Sequence, residues 1–218
     1  FRRQRGYILL LSTRRRATVP RILMSEAITP RWIRYEEGLI TALGCAGLEG
    51  HPAATGYRLL IHPTFHAAGC LEFLFLEKGS HFRLAALPSA INPIFEHIWN
   101  EDTKRAESAI MEAMFSCLET TVMLDDAAAA DYRARLSALP TPSVQAADLA
   151  ARDGIQIRLD YRGDRPETTL RAQLASVSAS TDLAPWISLF LDTAQALCRD
   201  QRLLAYLAKV RSYFFRSA

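Results

Sequence analysis

Residues 155–174 read Ile155-Gln156-Ile157-Arg158-Leu159-Asp160-Tyr161-Arg162-Gly163-Asp164-Arg165-Pro166-Glu167-Thr168-Thr169-Leu170-Arg171-Ala172-Gln173-Leu174. In the first half Ile155, Ile157, Leu159 and Tyr161 alternate with Gln156, Arg158, Asp160 and Arg162, the period-two pattern of a strand with one apolar face. Gly163-Asp164-Arg165-Pro166 is a turn, and Leu170, Ala172 and Leu174 alternate with Arg171 and Gln173 on the return. The stretch predicts an antiparallel β-hairpin with one buried face and one wet face.

Upstream, Tyr57, Leu59 and Ile61 alternate through Tyr57 to His62 and predict a strand. Ala67-Ala68-Gly69 breaks the chain before Cys70 to Glu77. There Leu71, Phe73 and Phe75 share one face and Leu74 and Leu76 the other, an apolar load that marks a central strand covered by helix. Glu77-Lys78-Gly79-Ser80 turns into a third strand, His81 to Leu87, to complete a meander. Trp32, Ile33, Leu39, Ile40 and Leu43 fall near helical spacing between Pro30 and the glycines that begin at Gly44. Asn100-Glu101-Asp102 reads as the cap of a helix carrying Ile110, Met111, Met114, Phe115 and Leu118 in one stripe. Thr120 to Leu124 is β-rich, Asp125 or Asp126 caps a helix through Leu136, and Asp182 caps an apolar helix with Trp186, Ile187, Phe190, Leu191, Ala194 and Leu197. Gln201 to Phe215 forms the last helix, around Leu204, Leu207, Val210 and Phe214. The expected fold is α+β, a three-stranded meander and a C-terminal-half hairpin packed by amphipathic helices, in the order α-β-β-β-α-(β)-α-β-β-α-α.

The 218 residues carry a formal charge of +3, but its source is local. Seven arginines and no acidic residue precede Met24, leaving 19 basic and 23 acidic residues in 24–218, a formal −4. Met24-Ser25-Glu26 ends the arginine bias abruptly and is read as the true start. A disordered basic arm and an organelle presequence are the alternatives for residues 1–23. The one apolar run there, Tyr7 to Leu11, is far shorter than the roughly 20 residues of a membrane span. Binding of nucleic acid is expected only through this arm. Residues 24–218 are expected to form a single α+β domain, since neither side of the Pro140–Ala151 stretch has strands enough to cover its helices. Cys45, Cys70, Cys117 and Cys198 contain no C-x-x-C pair, which argues against a zinc ribbon or redox motif and for a reducing, cytoplasmic setting.

The densest set of potential metal ligands is His62-x-x-x-His66-x-x-x-Cys70. With the turn at 67–69, His66 faces Cys70 and His62 lies opposite Leu74, which suits a three-ligand site poorly. A thiolate at Cys70 activated by His66 is the corresponding enzyme reading. No G-x-S-x-G, H-E-x-x-H or glycine-rich phosphate loop is present. The pairs Glu36-Glu37, Glu101-Asp102 and Asp125-Asp126 fall in or at the start of expected helices, where carboxylates cap or are solvated. Neither a cofactor nor a metal is expected.

Arg158, Asp160, Arg162, Arg171 and Gln173 are then the candidate partner-binding face, the wet side of the second hairpin, where arginine suits protein recognition. The Met111-Met114-Phe115 stripe is read as core, with an adaptable binding surface as the alternative. The coarse element order from Met24 onward resembles that of type III secretion chaperones, with 101–151 as an extra segment. That resemblance implies a small, acidic, non-enzymatic bacterial protein that binds an extended segment of another protein, and it supplies no site residues. The expected function is a non-catalytic interaction module, a chaperone-like adaptor or toxin-neutralising partner, with an enzyme using His62, His66 or Cys70 as the alternative. A homodimer is left open.

Overall fold

The computed structural model describes residues 9–11, 28–45, 48, 55–63, 67–88, 93–141, 155–163, 168–174 and 182–214. In chain order the elements are β1 (Leu9–Leu11), α1 (Ile28–Ala42), β2 (Thr55–Pro63), β3 (Gly69–Phe75), β4 (His81–Ala86), α2 (Pro93–Trp99), α3 (Thr103–Ser116), β5 (Leu118–Met123), α4 (Asp126–Ala138), β6 (Ile155–Arg162), β7 (Thr168–Leu174), α5 (Ala184–Leu197) and α6 (Gln201–Phe214). The α+β class and the antiparallel sheet are those the alternation predicts. Two elements are additional. The short helix α2 follows a proline-bounded stretch with no clear period. Strand β1, from the arginine-rich N-terminal segment, pairs Leu10 with Leu170 of β7.

Meander and hairpin join into one seven-stranded antiparallel sheet, ordered β1-β7-β6-β2-β3-β4-β5. The join is β2 against β6, with Leu59 opposite Leu159 and Arg58 opposite Asp160. Because opposed residues in antiparallel strands share a face, this register sorts every side chain. One face collects Tyr57, Leu59, Ile61, Leu71, Phe73, Phe82, Leu84, Ile157, Leu159 and Tyr161, and α4, α5 and α6 close over it. The rings of Phe73 and Phe190 are 5.3 Å apart, Phe73 and Phe82 4.8 Å, and Trp186 stacks on Tyr161 at 6.0 Å. The Trp186 indole N–H donates to the Pro140 carbonyl at 2.9 Å, so even this large ring leaves no polar atom stranded. The opposite face is covered by α1, with α2 and α3 packed beside it. Its apolar part is Leu60, Cys70 and Ala85 beneath Tyr35, Leu39, Ile40, Leu43, Ile94 and Ala109.

The helix starts follow local chemistry. Asp102 accepts from the Arg105 N–H at 3.1 Å and Asp125 from the Ala128 N–H at 2.8 Å. Asp200 accepts from the backbone of Arg202 at 2.7 Å and separates α5 from α6. The cap position of α5 lies one residue after the expected Asp182. Leu183 occupies the cap position of α5 without a side-chain hydrogen bond, and a proline in the first turn removes one of the backbone donors a cap would serve. In α6 the buried face is Leu203, Tyr206, Leu207, Val210 and Phe214, with Leu204 half-buried.

Gly69 permits a close approach of α6 to the sheet. A Cβ there would lie 2.2 Å from the Tyr206 hydroxyl oxygen. That hydroxyl is buried and makes no hydrogen bond, and burial raises its pKa far above the ordinary tyrosine value. An unpaired buried hydroxyl costs about 1–3 kcal/mol. Tyr206→Phe is therefore expected to leave stability unchanged or raise it by about 1 kcal/mol, whereas Phe73→Ala, at the centre of the aromatic cluster, is expected to lose about 3–5 kcal/mol. Urea unfolding of the two variants measures both.

Candidate functional site

The hairpin face read as wet is buried where it matters most. Arg158 retains 9% and Asp160 6% of their accessible surface, and the β6 positions from Ile157 to Tyr161 are buried on both sides. What covers Arg158 and Asp160 is α1. Period-two alternation shows which residues share a face, and only the placement of α1 decides whether that face meets water. Arg162 is half-buried, its guanidinium donating to the Leu48 carbonyl at 2.9 Å. Arg171 and Gln173 stand opposite Arg158 and Gln156 in the register, and β7 is flanked on its other side by β1. The side chains of β7 lie outside the described residues.

Beneath α1 the charges form a ladder across four strands. One row of the register runs Arg83, Glu72, Arg58, Asp160 from β4 to β6, alternating in sign. Arg58 Nη2 donates to Glu72 Oε1 at 3.0 Å, and Arg58 Nη1 lies 3.7 Å from Asp160 Oδ2. Arg158, one row along, donates through Nε to both Asp160 oxygens at 2.8 and 3.0 Å and through Nη1 to Glu36 Oε2 at 3.4 Å. Glu36 is buried in the middle of α1. Its place beside Glu37 suggested only a solvated helix face.

The same arginines reach the carbonyl end of α1 and the chain just beyond it. Arg83 donates to the Leu43 carbonyl at 2.6 Å, to Cys45 Sγ at 2.8 Å and to Glu119 at 2.5 Å. Arg58 donates to the Cys45 carbonyl. The last carbonyls of a helix have no partner within it and carry partial negative charge, so guanidinium groups are favoured there. The ladder thus seats α1 on the sheet and is spent on internal contacts.

The His/Cys set is not assembled as expected. Pro63 still belongs to β2 and Gly69 to β3, so the connection between them is longer than a turn at 67–69. Cys70 pairs with Leu60 and Leu74 with Gly56. His66 lies outside the described residues. His62 pairs with Gln156 of β6, its Nε2 2.7 Å from the Tyr35 hydroxyl and its Nδ1 3.3 Å from Gln156 Oε1. Burial lowers the His62 pKa from the ordinary 6.5, against the opposing effect of the hydrogen bond accepted by Gln156 Oε1. Burial likewise raises Cys70 well above the usual thiol value, with the contact to Cys45 adding to it, and pushes Cys117 up to about 11. These thiols are held protonated, the opposite of an activated nucleophile. Among the described residues no group of three His, Cys, Asp or Glu side chains is arranged to hold a metal ion, and no helix is long and apolar enough to cross a membrane.

Most of the exposed large apolar side chains lie on α3 and β5. On α3 the buried positions are Ala106 and Ala109, while Met111, Met114 and Phe115 are exposed, Phe115 by 81%. Their stripe points away from the core because α3 packs on α1 and α2 through Ala106, Ala109 and Ile110 instead. Directly after α3 comes β5, the outermost strand of the sheet, with Met123 63% exposed at its far end. Comparison of the chain with protein-family models, curated proteins and solved structures finds no match.

Two tests follow from the buried groups. Arg58→Met strands Glu72 and leaves Asp160 to Arg158 alone, and is expected to cost about 3–5 kcal/mol. Arg135→Met, which breaks an exposed pair with Asp131, is expected to cost at most about 1 kcal/mol. For His62, whose folded pKa is depressed, the unfolded chain takes up a proton near pH 6.5 that the folded chain refuses. Its contribution to stability is therefore complete above that pH and declines as pH falls from about 6.5 towards the depressed folded value. Denaturant unfolding across this range is expected to show a shallower slope for His62→Gln than for the parent chain.

Proposed function

We propose that the protein is a non-catalytic interaction module that binds another polypeptide at the corner where the exposed face of α3 meets the open edge of β5. The observation that carries this reading is the run Met111, Met114 and Phe115, three large apolar side chains exposed together on one helix face. Single exposed apolar residues are ordinary, but a cluster on a folded surface marks a place where apolar area is removed from water by something else. Methionine is unbranched and polarizable, and suits a surface that must adapt to its partner.

The edge of β5 adds a second element to the same corner. A polypeptide in extended form can satisfy the outward backbone groups of an edge strand while its side chains meet the α3 stripe, the combination of main-chain hydrogen bonds and apolar pockets used in strand addition. This moves the recognition surface away from Arg158 and Asp160, which are occupied within the protein. Arg162, Arg171 and Gln173 enter the proposal only as neighbours of the opposite half of the sheet.

The test is capture from a lysate of the protein's own source with the parent chain and with a Met111→Lys/Met114→Lys variant, both checked for native circular dichroism. A stoichiometric protein retained by the parent and lost, by about tenfold or more, from the variant is the expected result. Equal retention by both would remove the α3 stripe from the reading.

A further inference from the structure

Strand β5 itself carries none of the lysines, prolines or bulges that normally keep strand edges from pairing. Edges are protected by lysines, prolines, bulges or inward-pointing charges. Strand β5 reads Leu118-Glu119-Thr120-Thr121-Val122-Met123, with neither lysine nor proline, and its six residues pair one-to-one with β4 without a bulge. Its single charge, Glu119, is turned onto Arg83 at 2.5 Å. Among the described residues no strand pairs with its outer side.

The strand is also complementary to itself. In an antiparallel pair, opposed residues lie on the same face, so a two-fold axis can pass only through a residue position. Centred on Thr120, the pairing sets Leu118 opposite Val122 of a second copy, Thr120 opposite its equivalent, and Glu119 opposite Thr121. Half-buried positions then meet half-buried ones, and the two Glu119 carboxylates are not opposed. Centred on Thr121, Glu119 would instead face Met123, leaving a carboxylate against a thioether.

The ends of the strand decide between a second copy and an unrelated segment. The two most exposed large apolar side chains in the described structure are Phe115, just before β5, and Met123, at its end. Six residues of strand separate the two ends by roughly 17 Å, too far for them to cover one another within one chain. Antiparallel self-pairing reverses the ends, so Met123 of one copy falls opposite Cys117 of the other, beside its Phe115, and the exchange occurs twice about the axis. Sulfur–aromatic contact of this kind is favourable.

We infer that the protein forms a two-fold dimer by β5–β5 pairing, with Phe115 of each copy against Met123 of the other. This rests on the reading of the α3–β5 corner as an interaction surface and assigns the β5 edge of that corner to a second copy of the chain, leaving the Met111 and Met114 face of α3 to a heterologous partner.

Sedimentation equilibrium of the full chain from about 1 to 100 µM, a range that spans ordinary weak-to-moderate dimers, is expected to show a dimer. Phe115→Lys and Met123→Glu are each expected to weaken it by roughly tenfold or more, because symmetry counts each change twice. The double variant Phe115→Lys/Met123→Glu is expected to recover most of that loss, since the new charges can meet only between copies. Met111→Lys/Met114→Lys is expected to leave the dimer intact while losing any heterologous partner. A monomer at every concentration, or a double variant no better than the singles, would overturn the self-pairing, whatever the capture experiment shows of a heterologous partner.

Discussion

The seating of α1 on the sheet depends on five buried charges, Arg58, Glu72, Arg158, Asp160 and Glu36, that lie between them. Removing ions from water is expensive, and their mutual attraction offsets that cost only when each keeps partners at hydrogen-bonding distance. Here each does. Asp160 is shared between two arginines, Glu36 comes from the helix itself, and the helix end presents carbonyls to Arg58 and Arg83. Such a ladder adds less to stability than an apolar layer of equal volume. Its effect is directional, since α1 shifted along the sheet would leave several charges without partners.

This placement determines what the rest of the surface can do. With α1 occupying the charged side of β2 and β6, α2 and α3 pack against α1, and α3 does so through Ala109 and Ile110. Ala106, Ala109 and Ile110 form the inner side, and Met111, Met114 and Phe115 are left outside. The apolar corner formed by α3 and β5 is thus a consequence of where α1 sits. The hydrophobic face of the sheet, filled by α4, α5 and α6, is independent of it and holds the aromatic core around Phe73 and Trp186.

Most elements were legible in the amino-acid pattern. The hairpin 155–174, the meander and the capping stretches at Asn100-Glu101-Asp102 and Asp125-Asp126 all follow from spacing and local hydrogen-bonding chemistry. The elements that escaped have identifiable reasons. Helix α2 is seven residues long, too short for a helical period to show. The cap position of α5 falls one residue later than expected, at Leu183 rather than Asp182. The opposition of His66 and Cys70 assumed a tight turn, whereas β2 runs on through Pro63 and shifts the register.

The candidate sites were less legible than the fold, and the cause is the same in each case. Alternation along β6 assigns Arg158 and Asp160 to one face, and the helical period assigns Met111, Met114 and Phe115 to one stripe. Both groupings are local properties of φ, ψ and side-chain direction, which the sequence by itself determines. Whether a face is wet or covered depends on what packs against it. For Arg158 that is Glu36, 122 residues away in the chain. The local pattern alone turns polar residues towards water and apolar ones towards the core, and on these two elements the tertiary structure reverses both. Strand pairing and helix placement are set by the summed packing of distant segments, and no local pattern carries that sum.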